Sequence, residues 1–128
     1  DIIRTINSPM VRASFIAPHT FFYGPDMVAN LRATEGLLEH VRLADTYDHN
    51  KSSQLRYIVN PPGSKVRVHQ HVDFGQGEID WDSFFATLAD MNFDGVLSNC
   101  VFAWEDRAED SARSVLKQTK DYVAKYWK

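Results

Sequence analysis

Apolar and polar positions alternate between two periods along this chain, and the changes of period mark its elements. Val11-Arg-Ala-Ser-Phe-Ile16 reads as a short strand after the turn at Asn7-Ser8-Pro9. Ala17-Pro18-His19 reads as the loop that leaves it. Gly24-Pro25-Asp26 then opens a helix, with proline in the first turn and an acid at the positive dipole end. This helix is expected to run to about Glu35, where Gly36 supplies a C-terminal stop. Leu38–Ala44 is a second strand, with Val41 and Leu43 on one face and His40, Arg42 and Ala44 on the other.

A long polar connection follows from Asp45 to Lys65, and Arg56-Tyr-Ile-Val59 inside it suggests a packed segment. Val66–Asp73 is a third extended stretch, closed by the turn Gly75-Gln-Gly77. Asp80 is a good N-cap for a helix whose apolar face is Trp81, Phe84, Phe85, Leu88 and Met91. Gly95–Phe102 is a fourth, mostly apolar strand. The last helix starts near Glu105 or Asp106, with Ala108, Ala112, Val115, Leu116, Thr119, Tyr122, Val123 and Tyr126 as its inward stripe. Strands that alternate with helices give right-handed βαβ units and a parallel sheet. About three such units are too few to close an eight-stranded barrel.

Composition narrows the function more than the fold. A chain of 128 residues, 44% hydrophobic and 24% charged, suits one domain spanning 1–128 with a sizeable core. The net charge is −3 and the basic residues are scattered, which argues against nucleic acid or an anionic membrane as partner. No stretch is long enough to span a bilayer and no signal-peptide pattern opens the chain. Cys100 alone builds no disulfide framework. A cytoplasmic protein is expected. No GxGxxG fingerprint or phosphate-binding glycine loop with lysine is present. The first residues, Asp1-Ile-Ile-Arg-Thr-Ile-Asn7, lack an initiator methionine and read as the tail of a helix, so a piece of something longer is expected.

The densest chemistry lies at the expected carboxyl ends of the strands, where α/β proteins bind ligands. His69 and His71 stand at i and i+2, on one face of an extended segment. Such a pair can hold a metal or a polyol, and a packed core role is the alternative for each. Asp73 continues that face and can orient a histidine. His19 follows the first strand; it is either a ligand contact or a solvated loop residue. Arg42 points away from Val41 and Leu43, so an anionic substrate group or a protein acid, Asp45 or Asp73, has to face it. Asp45, Asp48 and His49 begin the long loop, where turn chemistry is the plain reading. Glu105, just after Trp104, can act as an acid–base group or serve only as charge at a helix N-terminus. Cys100 is most simply a small buried hydrophobe.

Five segments together carry a resemblance: Phe15-Ile-Ala-Pro-His-Thr-Phe-Phe-Tyr-Gly24, His40-Val-Arg-Leu-Ala-Asp-Thr-Tyr-Asp-His49, Leu55-Arg-Tyr-Ile-Val-Asn-Pro-Pro-Gly63, Val68-His-Gln-His-Val-Asp-Phe-Gly-Gln-Gly-Glu-Ile-Asp-Trp81 and Cys100-Val-Phe-Ala-Trp-Glu-Asp-Arg-Ala108. The chain resembles the IolH-type myo-inositol catabolism proteins of the xylose-isomerase-like superfamily of sugar phosphate isomerases and epimerases. The resemblance implies α/β architecture, a partial TIM (β/α)8 barrel of about the last three βα units, with parallel strands and helices on the outer face. It implies action on a sugar or cyclitol, or a sugar phosphate, by proton abstraction beside a carbonyl, and a divalent metal (Mn, Zn, Co or Mg) held by strand-end Glu, Asp, His and Glu residues.

Carried over position by position, that ligand pattern departs from the family. The first Glu would lie upstream of this chain, the Asp falls on Ile16, the metal His on Arg42 and the closing Glu on Cys100. The expected site is therefore His71 and Glu105 for acid–base work, His19, Arg42, His69, Asp45 and Trp104 for binding, and His69 and His71 as candidate metal ligands. A non-catalytic carbohydrate-binding or assembly module on a degenerate barrel is the competing expectation. A DNA-repair role, known in the superfamily, sits badly with the acidic balance. An open sheet with bare edges predicts self-association or pairing with the rest of a barrel.

Overall fold

The computed structural model describes residues 2–48, 71–101 and 105–128. The order of elements is α1 (Ile2–Ile6), β1 (Ala13–Ile16), α2 (Ala17–Tyr23), α3 (Met27–Arg32), β2 (Leu38–Leu43), α4 (Trp81–Asp90), β3 (Val96–Asn99), a 3₁₀ turn (Glu105–Arg107) and α5 (Ala108–Tyr126). The three strands form one parallel sheet in sequence order. This is a partial barrel wall of the expected α/β kind. No helix among the described residues is long and apolar enough to cross a membrane.

Caps account for where the helices begin. The Asp26 side chain accepts from the Ala29 N–H at 2.9 Å, and the Asp80 side chain accepts from the Ser83 N–H at 3.1 Å. Helix α3 ends earlier than expected, at Arg32. Its continuation tightens into i→i+3 bonds, with Thr34 N donating to the Leu31 carbonyl at 2.8 Å and Leu37 N to that of Thr34 at 2.9 Å. Gly36 then takes φ +75°.

Three expectations are corrected. Ala17-Pro18-His19 is not a loop but the first turn of α2, because proline lacks only an N–H that a helix start leaves unbonded anyway. Of the expected third extended stretch, residues 66–70 lie outside the described residues, and residues 71–73 join no strand of the sheet. Of its described part, Val72 makes an isolated antiparallel bridge to Asp45, and β3 takes the place beside β2. The stripe on α5 is rotated: Ser111 and Val115 are buried whereas Ala108, Ala112 and Leu116 are exposed. Asp73 draws Ser111 inward by a hydrogen bond, which sets that rotation.

One face of the sheet is apolar. Phe15, Val41 and Leu43 meet Leu31, Phe84, Phe85 and Leu88 in the core, capped by the stack of Phe74 on Trp81 with centroids 4.0 Å apart. The opposite face carries Ser14, His40, Arg42 and Ser98. There His40 Nε2 lies 2.7 Å from Ser98 Oγ, and His40 Nδ1 lies 3.5 Å from Ser14 Oγ. The alternation expected from β2 therefore holds, with Val41 and Leu43 inward to the helices.

Candidate functional site

The carboxyl ends of β1, β2 and β3 form one rim. Register pairs Ile16 with Arg42 and Arg42 with Ser98, and Cys100 N donates to the Leu43 carbonyl at 2.9 Å. Of the three positions expected to differ from the family's ligand pattern, Ile16 and Arg42 thus stand side by side on β1 and β2, and Cys100 follows directly on the end of β3.

His19 and His71, far apart in sequence, meet at this rim. Their ring centroids are 5.1 Å apart in an edge contact at 76°. Helix α2 delivers His19 from the end of β1, and the bridge of Val72 to Asp45 fixes the backbone next to His71. His71 is buried, and its Nδ1 lies 3.0 Å from the Cys100 carbonyl oxygen. A carbonyl only accepts, so Nδ1 carries the proton, and in the neutral ring Nε2 holds the lone pair. The Cys100 thiol is pushed up to about 11 by burial, with Arg42 pulling the other way, so it stays protonated at neutral pH.

Burial lowers the proton affinity of His19 below the ordinary value of 6.5, and the Arg42 charge lowers it further. Folding therefore favours the neutral ring. The contribution to stability is complete above pH 6.5 and is lost as pH falls through the depressed folded value. A groove of about 320 Å³ opens beside His19, lined by Ser14, Ile16, Thr20, Tyr23 and Asn30 among others.

Asp45 is placed inside the protein rather than on the rim. Its side chain is fully buried, and its two oxygens accept from Thr46 N (2.8 Å), Ile79 N (3.1 Å), Gly75 N (2.9 Å) and Trp81 Nε1 (3.1 Å). Burial pushes its carboxyl above the ordinary carboxylate range, and these donors pull it back. Its work is to tie the end of β2 to the glycine turn and to α4. Sequence reasoning weighed this residue as a substrate contact. The missed signal was the order Asp45, Gly75-Gln-Gly77, Trp81, a loop acid and two donors' worth of turn.

Among the described residues, Asp73 likewise meets no histidine. It is buried, pairs with Arg107 at 3.0 Å and accepts from Ser111 Oγ. Among the described residues, the Cys100 carbonyl and thiol and the His19 ring all meet the His71 ring. His69, Trp104, His49 and the packed segment Arg56–Val59 lie outside the described residues. Glu105 opens the 3₁₀ turn that leads into α5.

A divalent metal is implied by the resemblance. Among the described residues no three His, Cys, Asp or Glu side chains converge to hold one. The rim positions Ile16, Arg42 and Cys100 supply a hydrocarbon, a cation and a protonated thiol. These residues do not fit the expected metal centre, and no chemical step is derived through one.

A sequence model described as the xylose isomerase-like TIM barrel matches residues 1–119. Among solved structures, a xylose isomerase domain protein from Planctomyces limnophilus superposes with a TM-score of 0.70 at 15% identity, over 97% of this chain and 42% of that one. At that identity the likeness concerns the fold, and the chain spans well under half the length of that structure. No curated protein matches the chain.

Proposed function

Because the chain belongs to the xylose isomerase-like TIM barrel family, we propose that it supplies part of the ligand-binding rim of a barrel acting on a sugar or cyclitol by isomerase/epimerase-type chemistry. The myo-inositol catabolism branch, which the five quoted segments resemble, is the proposed setting. The observation that carries the reading is the meeting of His19 and His71 at the strand ends, with the Arg42 charge acting on one of them.

In this reading His71 moves the proton. Its Nδ1–H is anchored on the Cys100 carbonyl, so Nε2 is the atom that takes up a proton from carbon next to a carbonyl and returns it. Glu105 is the proposed second acid–base group, and His69 and Trp104 are proposed binding residues. His69 and His71 remain the proposed donors should a divalent metal take part. Asp45 is left out of the binding set, since its oxygens are committed to the fold.

The test follows solvent deuterium entering an inositol-derived ketone in the whole protein. His71→Gln is expected to slow exchange by about 100-fold or more while leaving the circular dichroism unchanged, in keeping with general acid–base contributions of that order. Equal exchange in both proteins would remove His71 from the chemistry.

A second reading, a carbohydrate-binding module without turnover, is favoured by Ile16, Arg42 and Cys100 standing together where metal ligands are expected. Tight polyol binding with no exchange in the unmutated protein would select it.

A further inference from the structure

We propose that Arg42 and His19 form a seat for an anionic group, a phosphate or a carboxylate, carried on the polyol that this rim binds. The inference rests on the proposed sugar or cyclitol ligand and adds the charge class of that ligand.

The placement of Arg42 comes from strand register. Its neighbours Val41 and Leu43 fill the core, so Arg42 is held on the polar face between Ile16 and Ser98. A guanidinium stays charged at all physiological pH and presents a planar fork of donors suited to carboxylate and phosphate oxygens. The sequence offers two nearby acids as internal partners, and both are engaged elsewhere. Asp45 is bonded to Thr46, Gly75, Ile79 and Trp81, and Asp73 to Arg107 and Ser111. None of the ion pairs among the described residues uses Arg42.

The surroundings of Arg42 are also those of an anion seat. Its register partner on β1, Ile16, is a hydrocarbon, and its register partner on β3, Ser98, is an uncharged hydroxyl. Positive potential at the rim is thus not cancelled by these neighbours. The groove beside His19 leaves about 320 Å³, with Ser14, Thr20, Tyr23 and Asn30 among its lining, for the uncharged part of the molecule. Tyr23 is 88% exposed there, and an exposed aromatic residue suits a sugar face.

The experiment measures binding of three probes to the whole protein by calorimetry: inorganic phosphate, acetate and neutral myo-inositol. At least one anion is expected to bind at a single site. Arg42→Gln is expected to weaken that binding by about 10- to 100-fold, the range for losing a charge-assisted hydrogen bond, and Arg42→Lys by less, because charge survives and the fork does not. Whether phosphate or acetate is preferred decides between the two anion sources. Anion affinity unchanged in Arg42→Gln overturns the proposal. Binding of myo-inositol alone, with neither anion retained, overturns the anion seat and leaves the polyol reading standing. Failure of all three probes overturns both. Arg42 is exposed, so its variants are expected to keep the fold, which circular dichroism checks.

Discussion

Asp45→Ala is expected to lose about 3–5 kcal/mol of folding stability, a large part of the roughly 5–15 kcal/mol that holds a domain together. Four donors converge on this carboxylate: the N–H groups of Thr46, Gly75 and Ile79 and the indole N–H of Trp81. The side chain is fully buried. Truncation leaves those donors facing a void, and each buried donor without an acceptor costs about 1–3 kcal/mol, less than additively when they share one site. The loss also loosens the connection between β2 and α4, leaving the backbone bonds of Asp45 to Val72 and of Glu78 N to the Thr46 carbonyl to hold it. Urea unfolding followed by tryptophan fluorescence reads the change. A loss below about 1 kcal/mol would mean that water or a rearranged turn replaces the carboxylate.

Gly77→Ala is expected to be nearly as damaging, at about 2–4 kcal/mol, for a different reason. A Cβ built on Gly77 would collide with the Thr46 carbonyl oxygen, Asp45 Oδ1 and the Thr46 nitrogen, and two of those three atoms are backbone. Backbone in a buried bridge cannot swing aside as a flexible side chain does. Gly75 is the control. Its φ of +79° calls for glycine, yet a Cβ there meets nothing within 4 Å. Gly75→Ala should therefore cost only the left-handed strain of about 1–2 kcal/mol. The same unfolding measurement ranks the two. A Gly75 variant that is less stable than the Gly77 variant would reverse the steric argument.

Periodicity was enough to locate α4, the polar and apolar faces of β2, and the Asp80 cap, because each is decided by residues close in sequence. The amphipathic run Trp81 to Met91 reads the same in the chain and in the fold, where Trp81, Phe84, Phe85 and Leu88 are buried. What failed was decided at a distance. Pro18 looks like a loop residue until the buried Ala17 and Phe21 flanking it show a helix turn packed on the core. The turn of α5 follows from Asp73 reaching Ser111 across 38 positions, and no local pattern carries that.

The site was legible in part. His19 was singled out from its place after a strand, Arg42 from its face of β2 and His71 from its i, i+2 pairing with His69, and the fold brings the imidazoles of His19 and His71 into contact at the rim. Asp45 was singled out on equal grounds and turned out to be internal. Loop acids and ligand-binding acids have the same local sequence; only the converging N–H groups tell them apart. The His71–Cys100 link was unreadable beforehand, because the acceptor is a backbone carbonyl 29 positions away.

Everything proposed for the rim requires His19 and His71 to be neighbours. Nuclear Overhauser spectroscopy of the imidazole ring protons in the whole protein measures this directly. Rings with centroids 5.1 Å apart in an edge contact should give a cross-peak between His19 and His71 that vanishes in His19→Ala. Two assigned, well-ordered imidazoles with no cross-peak between them would contradict the account.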